Sequence, residues 1–164
     1  MVSISGHSQI LSVYSIKVDS IANNKEINFS SFHGKKILIV NATIFDIKYF
    51  QWTDLKQLQQ QYNNKLVVVV WPSIVYNKKM VADFFQRNNF PFVVASNRGT
   101  GINSNIQLYD WLEKKSLNGL QDTYVRIGFQ KYLINEDGKL IAVFEPDVRP
   151  ISKIIGDAIE VLVN

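Results

Sequence analysis

The run KKILIVNATIFDIKYFQWTDLKQLQQQYNNKLVVVVWP, residues 35–72, decides the fold. Its first part, KKILIVNATIF (35–45), is almost wholly apolar, the pattern of a strand covered on both faces. The next part, 47–63, places Trp52, Leu55, Leu58 and Tyr62 at intervals of three and four, which predicts a helix burying one stripe. KLVVVVW (65–71) is a second strand of the buried type, closed by Pro72. Strand, helix and strand in this order make a parallel β-α-β unit. At its first junction stands Asp46, where α/β proteins commonly keep a nucleophile or a phosphate cradle; no Cys, His or Gly-rich loop accompanies it.

Upstream, SVYSIKV (12–18) and KEINFSSF (25–32) read as a short strand pair turning at IANN. Downstream, NKKMVADFFQRN (77–88) predicts a helix with Met80, Val81, Phe84 and Phe85 on one face, and FPFVVA (90–95) a short strand. The loop SNRGTGINSN (96–105) leads into a helix stacking Ile106, Tyr109 and Leu112 inward. VRIGFQKYLINEDGKLIAVFE (125–145) is a hairpin turning at Asp137–Gly138. Ile151, Ile154, Ile155, Ile159 and Leu162 mark a closing helix. Parallel β-α-β units, then an antiparallel hairpin and a last helix, describe an α/β chain of thioredoxin-like fold: a mixed central sheet flanked by helices, with an N-terminal β-hairpin. Residues 1–164 are expected to form one domain, since no repeat, low-complexity tract or linker divides them.

The apolar fraction of 46% is that of a chain with a real core and argues against disorder. No apolar run approaches the roughly 20 residues needed to span a bilayer. The N-terminal MVSISGHSQILSVYSIKV lacks a basic segment followed by an apolar one, so a cytoplasmic location is the expectation, a mature form cut from a precursor being the other fit. With no cysteine, disulfides, thiolate metal sites and cysteine redox chemistry on this chain are excluded. Two histidines, His7 and His33, exclude a His-rich metal site. The net charge of +4 is scattered as Lys35–Lys36, Lys78–Lys79 and Lys114–Lys115, unlike the concentrated, aromatic-laced surface of a nucleic-acid binder. No cofactor is implied.

FSSFHGKKILIVNAT (29–43) resembles the opening of glutathione peroxidases, where a Phe-rich segment and Gly-Lys precede a strand ending in Asn-Val-Ala. TDLKQLQQQY, LVVVVWP, NFPF, LYDWL and FQKYLINEDGK have counterparts there in the same order, and FEPDVRP resembles the family's segment before its last helix. The resemblance covers nearly the whole chain from about residue 12. It implies a peroxidatic Cys or selenocysteine where this chain has Asp46, a catalytic Gln where it has Val75, and a Trp and an Asn where it has Ile127 and Gly128. All four relic positions are changed, and none is carried over as catalytic. The short 96–105 region resembles the non-tetrameric members, which implies a monomer or weak dimer.

A carboxylate cannot replace the thiolate, because its carbon is fully oxidised and attack on a peroxide yields no sulfenate-like intermediate to recycle. Asp46 reads most simply as a helix N-cap. A sharper reading is that the old pocket still binds something through Asp46, Tyr49 and Ser73. A third gives Asp46 a hydrolytic or metal role with a second acid such as Asp54. His33 reads as a solvated loop histidine, Tyr49, Phe50 and Trp52 as helix-face core, and NRGTGIN (97–103) as a loop, since no Lys-Ser/Thr follows its glycines. The expected function is a catalytically inactive, glutathione-peroxidase-like binding or regulatory protein in an oxidative-stress-related setting, with an unknown protein or small molecule as partner. The alternatives are a non-redox enzyme using Asp46 as base or metal ligand, or a structural module.

Overall fold

In the computed structural model, which describes residues 11–21, 25–45, 48–72, 77–96, 104–126 and 128–161, β3 (Lys36–Ala42) is buried along its whole length. It can be apolar throughout because strands cover both its edges and packed layers cover both its faces. The sheet order is β5-β4-β3-β6-β7, with β4 at Leu66–Pro72, β5 at Val93–Val94, β6 at Gln130–Ile134 and β7 at Leu140–Phe144. β3 pairs parallel with β4, in register Ile39↔Val69, and antiparallel with β6, in register Ile39↔Tyr132. The sheet is therefore mixed, as the sequence predicts. The N-terminal hairpin is present too, as β1 (Lys17–Asp19) and β2 (Glu26–Asn28), shorter than expected because single 3-10 turns at Val13–Ser15 and Phe29–Phe32 occupy the flanks.

Alternation along the strands divides the core in two. Leu38, Val40, Val68, Val70 and Leu133 face α1 (Phe50–Gln61), α2 (Lys78–Arg87) and α5 (Lys153–Glu160), meeting Trp52, Leu55, Phe85 and Ile155. Ile37, Ile39, Val69, Trp71 and Tyr132 face the β1–β2 hairpin and α3 (Ser104–Glu113), meeting Val18, Leu108 and Trp111. A short α4 (Lys115–Asn118), not anticipated from the sequence, follows α3 and ends at left-handed Gly119.

The β6–β7 turn is built by Asn135, whose buried Oδ1 accepts from the Asp137 and Lys139 N–H groups, and by Gly138 at φ +80°. The N-terminal segment is fastened to this turn: Val13 N–H donates to Gly138 O at 2.9 Å and Tyr14 Oη to Glu136 O at 2.6 Å. Among the described residues no helix is long and apolar enough to cross a membrane.

Candidate functional site

The carboxyl ends of parallel strands, where the connecting loops splay apart, are the ligand-binding end of an open α/β sheet. Here that end is reached by β3 and β4. After Ala42 the chain runs through Thr43, Ile44 and Phe45, and re-enters the described residues at a turn over Lys48–Tyr49. Gln51 N–H donates to Lys48 O (2.8 Å) and Trp52 N–H to Tyr49 O (3.1 Å), so α1 is entered through a tightened turn. The helix thus starts at Phe50 rather than 47. Its N-cap position is Tyr49, which makes no side-chain cap bond, and no acidic side chain lies in its first turn. The N-cap expected of Asp46 is therefore not found at the cap position of α1; Asp46 itself lies outside the described residues.

Ser73, Val75 and Ile127 also lie outside them. Gly128 is described and takes φ +97°, a region a β-carbon disfavours, and Phe129 beside it takes φ +70°. Phe129 N–H is held by Asn41 O at 2.8 Å, which aims its fully buried ring at Trp52, centroids 4.8 Å apart. Trp52 is the hub of an aromatic cluster that also includes Phe84, Phe85, Phe90 and Phe92, all with centroids within 6.3 Å of its own. The expected helix-face core is therefore right for Trp52 alone. Tyr49 and Phe50 are about half exposed, at 48% and 50%. Tyr49 Oη donates to Asn88 Oδ1 at 2.7 Å, and Phe50 lies under the Arg149 guanidinium, 5.4 Å from its ring centroid.

A polar cluster surrounds the first turns of α1. Asp54, buried, accepts two bonds from Arg149, Nε and Nη2 each at 2.8 Å. That fork commits Asp54 to an ion pair. Lys48 pairs with Asp147 at 2.6 Å. Gln51 Nε2 and Lys131 Nζ both donate to Pro146 O, at 2.8 and 3.2 Å. Lys131 is 0% exposed; burial pushes its ammonium down to about 7, and the charge of Lys48 acts the same way, against Asp147 and Asp54. Sequence reasoning missed Lys131, Gln51 and Arg149. For Lys131 a signal was present: a lysine inside the strand QKYLI, directly before the apolar run Tyr132–Ile134. His33 is exposed against Tyr14, 5.4 Å between ring centroids, as a solvated histidine should be.

Between the exit of β3 and α2 lies a cavity of about 580 Å³. Ile44 and Phe45 form one wall, Met80 and Phe84 the other, with Lys79, Asp83 and Arg87 at the rim. The predicted single apolar face of α2 is in fact two faces. Val81 and Phe85 enter the core, whereas Met80 and part of Phe84 turn to this cavity. Among the described residues no group of three acids or histidines is placed to hold a metal. The walls of the cavity are apolar and aromatic.

No protein-family model matches the chain. "Glutathione peroxidase 1" of Caenorhabditis elegans is 27% identical over 148 residues, covering 85% of this chain and 90% of that protein. The crystal structure of Trgpx in apo form superposes with a TM-score of 0.64 at 27% identity, covering 91% of this chain and 96% of that one. A thioredoxin-family thiol:disulfide interchange protein from Chlorobium tepidum superposes with a TM-score of 0.62 at 15% identity, over 92% of this chain and 94% of that one, a likeness of fold. The chain is glutathione-peroxidase-like in sequence and thioredoxin-like in fold.

Proposed function

We propose that this glutathione-peroxidase-like chain performs no thiol peroxidase turnover and acts by binding, as a regulatory pseudoenzyme in an oxidative-stress-related setting. One observation carries the reading: the scaffold resembles peroxidases, and its 164 residues contain no cysteine. A peroxide oxygen needs a soft, recyclable nucleophile, and Asp46 in the nucleophile's place supplies a carboxylate that cannot be oxidised and reduced in turn. Val75, Ile127 and Gly128 further remove the polar side chains that would stabilise developing charge there. The competing reading, paired-carboxylate chemistry on Asp46, is weakened by the engagement of Asp54 with Arg149. The residues proposed for binding are Asp46, Tyr49 and Ser73. The reading takes the cytoplasm as compartment and a monomer or weak dimer as the working state.

The test is consumption of hydrogen peroxide and of an organic hydroperoxide by the purified chain, with glutathione or reduced thioredoxin as electron donor. Rates equal to a heat-inactivated control are expected. Turnover above that control, abolished by no metal chelator and scaling with protein, would sink the reading.

A further inference from the structure

We propose that the cavity between Ile44–Phe45 and α2 is a binding site for a small aromatic monocarboxylate, its ring system on Phe45, Met80 and Phe84 and its carboxylate on Arg87. The proposal rests on the reading that this scaffold binds rather than turns over, and it names the ligand class. At about 580 Å³ the cavity has the size of a drug-sized ligand site. Its body is apolar, and both walls contribute a phenylalanine, with Met80 alongside; flat faces and a polarisable thioether favour an aromatic guest.

The rim selects the charge. Lys79 Nζ and Asp83 Oδ2 are 2.7 Å apart and satisfy each other. Asn88 is also engaged, its Oδ1 by Tyr49 and its Nδ2 by Phe84 O. Arg87, exposed on the last turn of α2, has no carboxylate at ion-pair distance among the described residues. The helix C-terminus gives it a favourable partial charge, and the carboxylate nearest along the helix, Asp83 one turn back, feels its charge but is hydrogen-bonded to Lys79. Among the described residues the rim therefore carries one net positive charge, and Arg87 offers a planar fork shaped for a carboxylate. A phosphate monoester, carrying nearly two negative charges at neutral pH, would be left half neutralised. Met80 and Arg87 are seven residues apart, about 10 Å along the helix axis, which suits a two-ring acid.

The experiment is calorimetric titration of the intact chain with 2-naphthoate, its neutral analogue 2-naphthamide, and decanoate, which has the same head on a flexible chain. Naphthoate should bind about tenfold more tightly than naphthamide, the scale of a charge-assisted hydrogen-bonded pair, and more tightly than decanoate. Arg87→Gln should erase the gap between naphthoate and naphthamide. Phe45→Ser should weaken both together. Lys115→Gln, the same charge change at α4 on the other side of the sheet, should leave all three unchanged, and thermal melts show that each variant is folded. Equal binding of acid and amide, insensitivity to Arg87→Gln or to Phe45→Ser, or tighter decanoate binding overturns the proposal. None of these outcomes bears on peroxide turnover, so failure here and failure of the wider reading are separately visible.

Discussion

Lys131 is an ammonium buried within a strand, and its only hydrogen bond among those described goes to a carbonyl, Pro146 O. Folding lowers its proton affinity from an ordinary lysine's, about 10.4, to about 7. Between those values the unfolded chain binds the extra proton, so stability rises with pH across that window and is flat below it. From pH 7 to 9.5 we expect a gain of as much as about 3 kcal/mol, read by urea melts. Lys131→Met should remove most of that slope and raise stability at pH 7. A slope unchanged in the variant would assign the pH dependence to other groups. Asp54 is a second buried charged side chain, and Arg149 grips both of its oxygens. Arg149→Ala should lower stability by leaving that carboxylate without its fork, and Arg149→Lys should recover only part, since an ammonium cannot reproduce the fork; urea melts read both. The double variant Asp54→Ala/Arg149→Ala should be less damaged than the two single losses summed.

Among the elements, the β6–β7 hairpin turns on a single backbone choice. Gly138 is at φ +80°, and a β-carbon there would collide with Ser12 Oγ and stand 2.9 Å from the Tyr14 ring. Gly138→Ala should therefore cost about 2 kcal/mol or more, through strain at the turn and displacement of the N-terminal segment packed on it. A variant as stable as the parent would show that the segment can give way freely. The seam of α1 with α2 depends on Trp52, and Trp52→Ala should cost roughly 3–5 kcal/mol. These elements were legible because periodicity reports burial: the all-apolar β3 and β4, and the three-four spacing of Trp52, Leu55 and Leu58. The α2 face was misread at Met80 because a hydrophobic stripe does not distinguish a core from a cavity wall. The start of α1 was misplaced because Ile47 extends the apolar pattern and no capping residue marks Tyr49.

On the scale of the molecule, the mixed sheet and its two covering layers followed from element order, and so did the resemblance to peroxidases. The site was legible mainly as a set of absences. Which side chains satisfy one another, such as Asp54 with Arg149 or Lys48 with Asp147, depends on segments about 95 residues or more apart in the chain, and spacing carries no trace of it. If the relic site has lost its whole set of polar groups, restoring one atom will not restore the chemistry. Asp46→Cys should give a thiol that reacts with hydrogen peroxide no faster than a free cysteine, measured by stopped-flow loss of thiol. A rate far above that would mean that the backbone alone activates the position. The fastening of Val13 and Tyr14 to Gly138 and Glu136 has a further consequence during synthesis. This segment must wait for partners made some 125 residues later, roughly 6–25 s at ordinary elongation rates. β3 likewise waits for β6 to cover its free edge. From the completion of β4 to that of β6 the nascent chain therefore carries a strongly apolar β3–β4 pair with one edge of β3 open, the interval in which a holdase chaperone has most to bind.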